Sequence, residues 1–126
     1  MLQGARVLIT EDDEMIGYFI AEAVTEAGGV PIGPIDTQVR AYQIVQSETI
    51  DAAILDVRLR DGDCTPTAAE LASRDCPVII SSGRPVPVDL LRYFPAIVTV
   101  PKPVLAREVV DRLVELMSGE VAVQKR

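Results

Sequence analysis

The sequence of 126 residues contains no histidine and no tryptophan, and it has only two cysteines, Cys64 and Cys76. Zinc sites are built mainly from cysteine and histidine, so these absences leave oxygen-ligated cations as the metals to consider. Nothing at the N-terminus resembles a secretion signal, and we expect an intracellular chain whose thiols stay reduced. We interpret both cysteines as small apolar side chains.

Basic residues are also few, 12 against 19 acidic ones, which gives a formal net charge of −7. Proteins that bind nucleic acids present clustered Lys and Arg to the phosphates, so we expect no nucleic-acid partner. No apolar run approaches the length that a membrane-spanning helix needs. We therefore expect no membrane association and a cytoplasmic location.

Aliphatic residues, in contrast, are spread along the whole chain, and the hydrophobic share of the sequence is 48%. This composition and length are typical of one globular domain with one sheet and its helices. We predict a domain over residues 1–119 and a C-terminal tail over residues 120–126, which we expect to be disordered.

Short aliphatic runs alternate with amphipathic helical patterns. Strands are predicted at residues 7–9, Val30–Ile35, 50–57, 77–83 and 96–100, and helices at residues 15–27, 37–47, 66–74, Val88–Tyr93 and 105–118. Strands that alternate with helices on short connections predict a doubly wound α/β fold, a parallel sheet with helices on both faces. Pro85, Pro87 and Pro95 restrict the fourth helix to about two turns, so it should be short or irregular.

Two helices carry more detailed expectations. In the first, one apolar face is predicted from the spacing of Met15, Ile16, Phe19, Ile20, Ala23, Val24 and Ala27. In the third, Thr65 is the predicted N-cap and Pro66 the first helical residue.

Polar or ionisable residues follow four of the predicted strands. They are Glu11 and Asp12 after the first, Asp56 at the end of the third, Ser82 in the fourth and Lys102 after the fifth. Function in parallel sheets collects at the carboxyl ends of the strands, so we expect these side chains to converge. Carboxylates that meet there would repel one another without a cation, and oxygen ligands predict magnesium.

Together these groups meet the electrostatic needs of phosphoryl transfer: a nucleophilic carboxylate, a metal, an ammonium and a hydroxyl. Each residue also has a plainer interpretation. The acids at residues 11–14 could only cap the first helix, Asp56 could begin a turn with Asp61 and Gly62, and Lys102 could be a solvated surface lysine. Ser82 before a glycine could be turn chemistry.

The sequence resembles the receiver domains of two-component response regulators, from the first strand into the last helix. The matching segments are VLITEDDEM, AAILDVRL, VIISSG and VPKP, in the family's order. The resemblance implies the flavodoxin-like strand order 2-1-3-4-5. It also implies a magnesium ion held by Glu11, Asp12, Asp56 and the main-chain carbonyl of Arg58.

The same resemblance implies that Asp56 is the phosphoacceptor, that Ser82 supplies the family's hydroxyl and that Lys102 is its lysine, followed by a cis bond to Pro103. The implied function is a stand-alone response regulator. It would receive a phosphoryl group from a histidine kinase or histidine phosphotransfer protein and signal through protein–protein interaction. Its only chemistry would be self-catalysed phosphotransfer to itself and autodephosphorylation. The resemblance therefore implies a phosphoacceptor signalling domain and not an enzyme that acts on another substrate.

Some positions depart from the family pattern. The proline-rich segment after Gly83 loosely resembles a subgroup of receivers named for a FATGUY run after the fourth strand. Thr99 stands where receivers usually have a switching aromatic residue, for which Tyr93 or Phe94 would have to substitute. Pro101 lacks an N–H group, which is tolerated if the fifth strand lies at a sheet edge.

Two alternatives stay open. A magnesium-dependent phosphatase-like enzyme of the haloacid dehalogenase type, or a Toprim nuclease domain, needs a second acid two residues after the strand-end aspartate. Arg58 occupies that position. A pseudo-receiver would bind partners without phosphorylation, and the full set of Asp12, Asp56, Ser82 and Lys102 argues against it.

Overall fold

A computed structural model of the chain describes residues 1–119; the predicted tail at 120–126 lies outside the described residues. The strands are β1 (Arg6–Thr10), β2 (Val30–Ile35), β3 (Ala52–Leu55), β4 (Arg58–Leu59), β5 (Gly62–Asp63), β6 (Val78–Ser82) and β7 (Val98–Pro101). The helices are α1 (Glu14–Glu26), α2 (Gln38–Ser47), α3 (Thr65–Ser73), α4 (Val88–Tyr93) and α5 (Ala106–Ser118).

Five parallel strands form the main sheet in the order β2-β1-β3-β6-β7. Since β6 and β7 are the fourth and fifth strands of this sheet, the predicted flavodoxin-like order is confirmed. The short α4 is also confirmed, and β7 lies at the sheet edge as Pro101 requires. One element was not predicted: β4 and β5 form a small antiparallel hairpin directly after Asp56.

Two apolar clusters cover the two faces of the sheet. The first contains Ile20 and Val24 of α1 together with Val109 and Leu113 of α5. The second is formed with side chains of α2, α3 and α4, including Leu71 and Leu90. Side chains of β3 alternate between the clusters, because successive residues of a strand point to opposite faces. This burial on both faces explains the uninterrupted aliphatic runs of the sequence.

Three residues of the predicted apolar face of α1 are exposed. Met15 is 67% exposed and Phe19 is 48% exposed, and Ile16 is also exposed, whereas Gly17, Ile20 and Val24 are buried. The cause is the close approach of α1 to β2: a Cβ atom on Gly17 would lie 2.7 Å from Cβ of Pro34. The helix packs through its glycine and turns neighbouring large side chains outward.

Several boundaries differ from the prediction, and two of them lie near the site. The third strand covers only Ala52–Leu55, because its pairing with β1 ends at Ile54 and its pairing with β6 ends at Leu55. Thr65 is the first residue of α3 and Cys64 is its N-cap. The carboxylate of Asp63 accepts a hydrogen bond from Thr65 N at 2.8 Å, so an acid before the cap satisfies the first N–H group of the helix, and the Cys64 side chain makes no capping hydrogen bond.

The two cysteines are free and contribute to the second apolar cluster. Burial raises the pKa of Cys64 to about 12 and that of Cys76 to about 11. Only the thiolate reacts with disulfide reagents, so we expect both thiols to react with Ellman's reagent at pH 8 at least about a hundredfold more slowly than in guanidinium chloride. Rapid modification of the native protein would contradict the burial of these side chains.

Among residues 1–119, no helix has the length and apolar character that crossing a bilayer requires.

Candidate functional site

The strand ends bring three carboxylates together, as the sequence predicts. Ligand oxygens of Glu11, Asp12 and Asp56 all lie within 4.8 Å of one another. Glu11 is only 4% exposed and Asp56 9% exposed, while Asp12 faces solvent. The group therefore combines two buried acids with one accessible acid at the carboxyl edge of the sheet.

Backbone contacts of β1 hold two of these acids in place. Asp56 N donates to both the carbonyl oxygen of Thr10, at 3.2 Å, and its hydroxyl oxygen, at 3.1 Å. Glu11 N donates to the carbonyl of Ile35 at the end of β2, at 3.0 Å. Thr10 is therefore a positioning residue that sequence reasoning missed, although a hydroxyl in the last position of an aliphatic strand was a visible signal.

Gly33 allows β2 to reach Glu11. It has φ +116°, and a Cβ atom there would lie 2.5 Å from the carbonyl oxygen of Ile9. Glycine avoids both the strained dihedral and this clash. The pairing of β1 with β2 shifts register between Leu8 and Thr10, and this irregularity sets Ile35 opposite the end of β1.

Lys102 links the acids of β1 and β3 to β7. Its Nζ donates to Oε1 of Glu11 at 2.6 Å and to Oδ2 of Asp56 at 3.2 Å. Its backbone N donates to the carbonyl of Ser82 at 3.1 Å, which ties the residue to the end of β6. The peptide bond between Lys102 and Pro103 is cis, as predicted.

Burial and charge act in opposite directions on this cluster. Burial raises the pKa of Glu11, and the hydrogen bonds from Lys102 and from Asp13 N only partly offset it. For Lys102, burial disfavours the ammonium, but the hydrogen bond to Glu11 and the charge of Asp56 outweigh it and raise the pKa. One ammonium thus neutralises one of three carboxylates, and the cluster retains negative charge.

Two of the acids, Asp12 and Asp56, open onto a cavity of about 480 Å³. Besides Asp12 and Asp56, it is lined by Ser82, Gly83 and two arginines, Arg58 and Arg84. Arg84 N donates to the Ser82 hydroxyl oxygen at 3.1 Å, which orients that side chain. Of the predicted site residues, Asp12, Asp56, Arg58 and Ser82 line this cavity, whereas the buried Glu11 and the half-buried Lys102 do not.

The positions that depart from the family pattern lie close to β6 and β7. Thr99 pairs with Ile80, and Pro101 pairs with Ser82 at the edge of the sheet. Tyr93 is exposed on α4, whereas Phe94 packs against the second apolar cluster. The two aromatic residues therefore have different environments, and only Phe94 contacts the core.

Asp61 has a structural role that the sequence did not reveal. Its carboxylate accepts hydrogen bonds from Gln38 N at 2.6 Å and Val39 N at 3.1 Å, so it caps α2 from the β4–β5 turn. These bonds lower the pKa of Asp61. The hairpin after Asp56 is thereby tied to the start of α2, together with the ion pair of Arg60 and Asp36 at 2.8 Å.

The donor set fits magnesium. Glu11, Asp12 and Asp56 supply hard carboxylate oxygens, and the solvent-facing Asp12 leaves room for the water molecules that magnesium usually retains. The negative charge that remains beside Lys102 also favours a divalent cation, because a cation relieves the repulsion between the carboxylates. Arg58 lies on β4 beside this group, where its main-chain carbonyl is the predicted further ligand.

No protein-family model matches the sequence, and no curated protein matches it either. Solved structures do match. A response regulator receiver protein from Sinorhizobium medicae is 16% identical, with TM-score 0.79 over 94% of this chain and 98% of that one. A CheY-like receiver domain protein from Methanospirillum hungatei is 20% identical, with TM-score 0.77 over 95% and 99% of the two chains.

The non-phosphorylated HemR receiver domain from Leptospira biflexa is 24% identical, with TM-score 0.76 over 97% of this chain and 98% of that one. These likenesses cover nearly the whole chain, and they agree with the strand order. The chain has the fold of the CheY-like receiver domains of response regulators.

Proposed function

We propose that this chain is a response-regulator receiver that accepts a phosphoryl group on Asp56 and signals through contacts with another protein. The observation that carries the proposal is the position of Asp56. Its carboxylate is buried at the carboxyl edge of the sheet, 3.2 Å from Lys102 Nζ and beside two further acids, and it opens onto a cavity.

The residues around Asp56 have separable tasks in this proposal. A carboxylate oxygen of Asp56 attacks the phosphorus, and the bond from phosphorus to the donor breaks with its electron pair leaving on the donor. Lys102 balances negative charge on the phosphoryl group, and the Ser82 hydroxyl donates a hydrogen bond to one of its oxygens. Thr10 holds the main chain of Asp56 in position.

Glu11, Asp12, Asp56 and the carbonyl of Arg58 would hold magnesium. When bound, the ion supplies positive charge that neutralises the phosphoryl oxygens. The donor would be a histidine kinase or a histidine phosphotransfer protein, and the altered loops after β6 and β7 would change affinity for an output partner. The proposal includes a cytoplasmic location.

The proposal predicts one covalent modification. Incubation with acetyl phosphate and magnesium is expected to add the mass of one phosphoryl group to the intact protein. Asp56→Asn should not gain this mass, because an amide is not a nucleophile at phosphorus. The matched control is Asp89→Asn, an exposed acid on α4, which should be phosphorylated like the wild type.

The outcomes separate the alternatives. An unmodified wild-type protein would indicate a pseudo-receiver and would overturn the proposal. Turnover of phosphate esters without a stable adduct would favour a phosphatase-like enzyme. That chemistry lacks its usual second acid, since Arg58 stands two residues after Asp56.

The arginines that line the cavity are expected to set the lifetime of the phosphorylated state. A guanidinium can bind phosphoryl oxygens with two hydrogen bonds and also obstruct the approach of water. We therefore expect the double variant Arg58→Ala/Arg84→Ala to lose phosphate about three to ten times faster than the wild type. The measurement is the first-order loss of phosphate from Asp56 at saturating magnesium, with both single variants alongside. If the double variant loses phosphate at the same rate as the wild type or more slowly, Arg58 and Arg84 do not protect the phosphoryl group from water.

A further inference from the structure

A second cavity, of about 550 Å³, lies between α1 and the segment that joins β7 to α5. Its lining is mainly apolar and includes Ile16, Phe19, Leu105 and Val109. The ring of Phe19 is 48% exposed and contacts Tyr18 edge to face, with 5.9 Å between centroids. The volume falls within the range of sites for small organic molecules, about 300 to 1,000 Å³.

One polar group of this cavity is unsatisfied. Ser81 is 3% exposed and lines the cavity, and its hydroxyl has no hydrogen-bond partner among the described residues. Buried hydroxyls nearly always have a partner, because leaving one unpaired costs free energy. The alternation of side chains in β6 directs Ser81 to the α1 and α5 face, opposite to Ile80 and Ser82. Ser81 is therefore separate from the hydroxyl assigned to the phosphorylation site.

Charge near the cavity restricts what can bind. Lys102 also lines it, but its ammonium is bonded to Glu11 and Asp56 and is surrounded by their negative charge. An anionic ligand would be repelled by these acids, and a cationic one would have to compete with Lys102. A neutral ligand meets neither difficulty.

We propose that this cavity binds a neutral small molecule with an apolar, ring-sized body and one hydrogen-bonding group that pairs with Ser81. The apolar walls bury the body of the ligand, and the hydroxyl of Ser81 gains the partner that it lacks. None of the binding contacts of this site requires a modified Asp56, so binding can be measured on the unphosphorylated protein.

The test uses two probes that differ in one group, 2-naphthol and 2-methylnaphthalene, titrated into the full chain and followed through methyl chemical shifts. Saturable shifts at Ile16, Ile20, Leu105 and Val109 are expected with both probes. In Ser81→Ala, affinity for 2-naphthol should fall about fivefold while affinity for 2-methylnaphthalene is unchanged. Ser47→Ala, an exposed serine on α2, is the matched control and should bind both probes like the wild type.

A second variant tests the cavity without touching Ser81. Ala106→Leu places a larger apolar side chain at the cavity wall and should weaken binding of both probes equally. The proposal is overturned if neither probe gives saturable shifts at the lining methyl groups. It is also overturned if Ser81→Ala binds 2-naphthol as tightly as the wild type while the spectra show both proteins folded.

Discussion

Asp12→Ala is expected to lower the rate of phosphorylation by acetyl phosphate at least about a hundredfold. Removing a residue that hydrogen-bonds to a metal ligand already lowers metal affinity or activity, and removing the ligand itself should lower them at least as much. Asp12 is the solvent-facing member of the acidic group, so its removal disturbs no buried contact. The same variant should lose the amide shift changes that magnesium produces at residues 11–13 of the wild type. Intact mass against time gives the rate, and the magnesium titration gives an independent measurement.

Asp13→Ala is the matched control, one residue along the chain. Asp13 is the N-cap of α1, and its carboxylate accepts from Met15 N at 3.0 Å and Ile16 N at 3.1 Å. This variant should lose about 1 kcal/mol of folding free energy and keep its phosphorylation rate. If both variants phosphorylate as fast as the wild type, Asp12 is not a metal ligand. If both lose phosphorylation equally, the effect comes from the helix and not from the metal.

Lys102→Ala is expected to remain folded and to accept some phosphate, but to lose most of its conformational response. Its side chain belongs to neither apolar cluster, so the core is retained. The ammonium joins Asp56 to β7, and its backbone N–H joins the same residue to Ser82 on β6. Removing the side chain breaks the first link and leaves the second. A phosphoryl group on Asp56 can then no longer attract the Lys102 ammonium and thereby shift the loop after β7.

The measurement is the set of amide shift changes on phosphorylation at residues 99–106 in wild type and variant. Arg107→Ala is the control, since it removes an exposed positive charge from the first turn of α5 without touching the acids. It should respond like the wild type. Equal shift changes in Lys102→Ala and the wild type would show that Lys102 does not couple Asp56 to this loop.

The sequence by itself determined the order and the kind of the main elements. Aliphatic runs that alternate with helical periodicity identified all five strands of the main sheet and all five helices, because a strand buried on both faces and an amphipathic helix leave different patterns. It also determined which residues meet, since the carboxyl ends of parallel strands lie at one edge. The convergence of Asp12, Asp56 and Ser82 follows from that rule alone.

Only the tertiary structure decided which groups hold these residues and which faces stay exposed. Thr10 supports Asp56 and Asp61 caps α2 through contacts between residues more than 20 positions apart, which local patterns do not encode. The exposure of Phe19 depends on how closely Gly17 lets α1 approach Pro34, a matter of packing and not of periodicity. Because burial is decided by distant neighbours, the hydroxyl of Ser81, which has no partner within residues 1–119, and the cavity beside it could be found only in the folded chain.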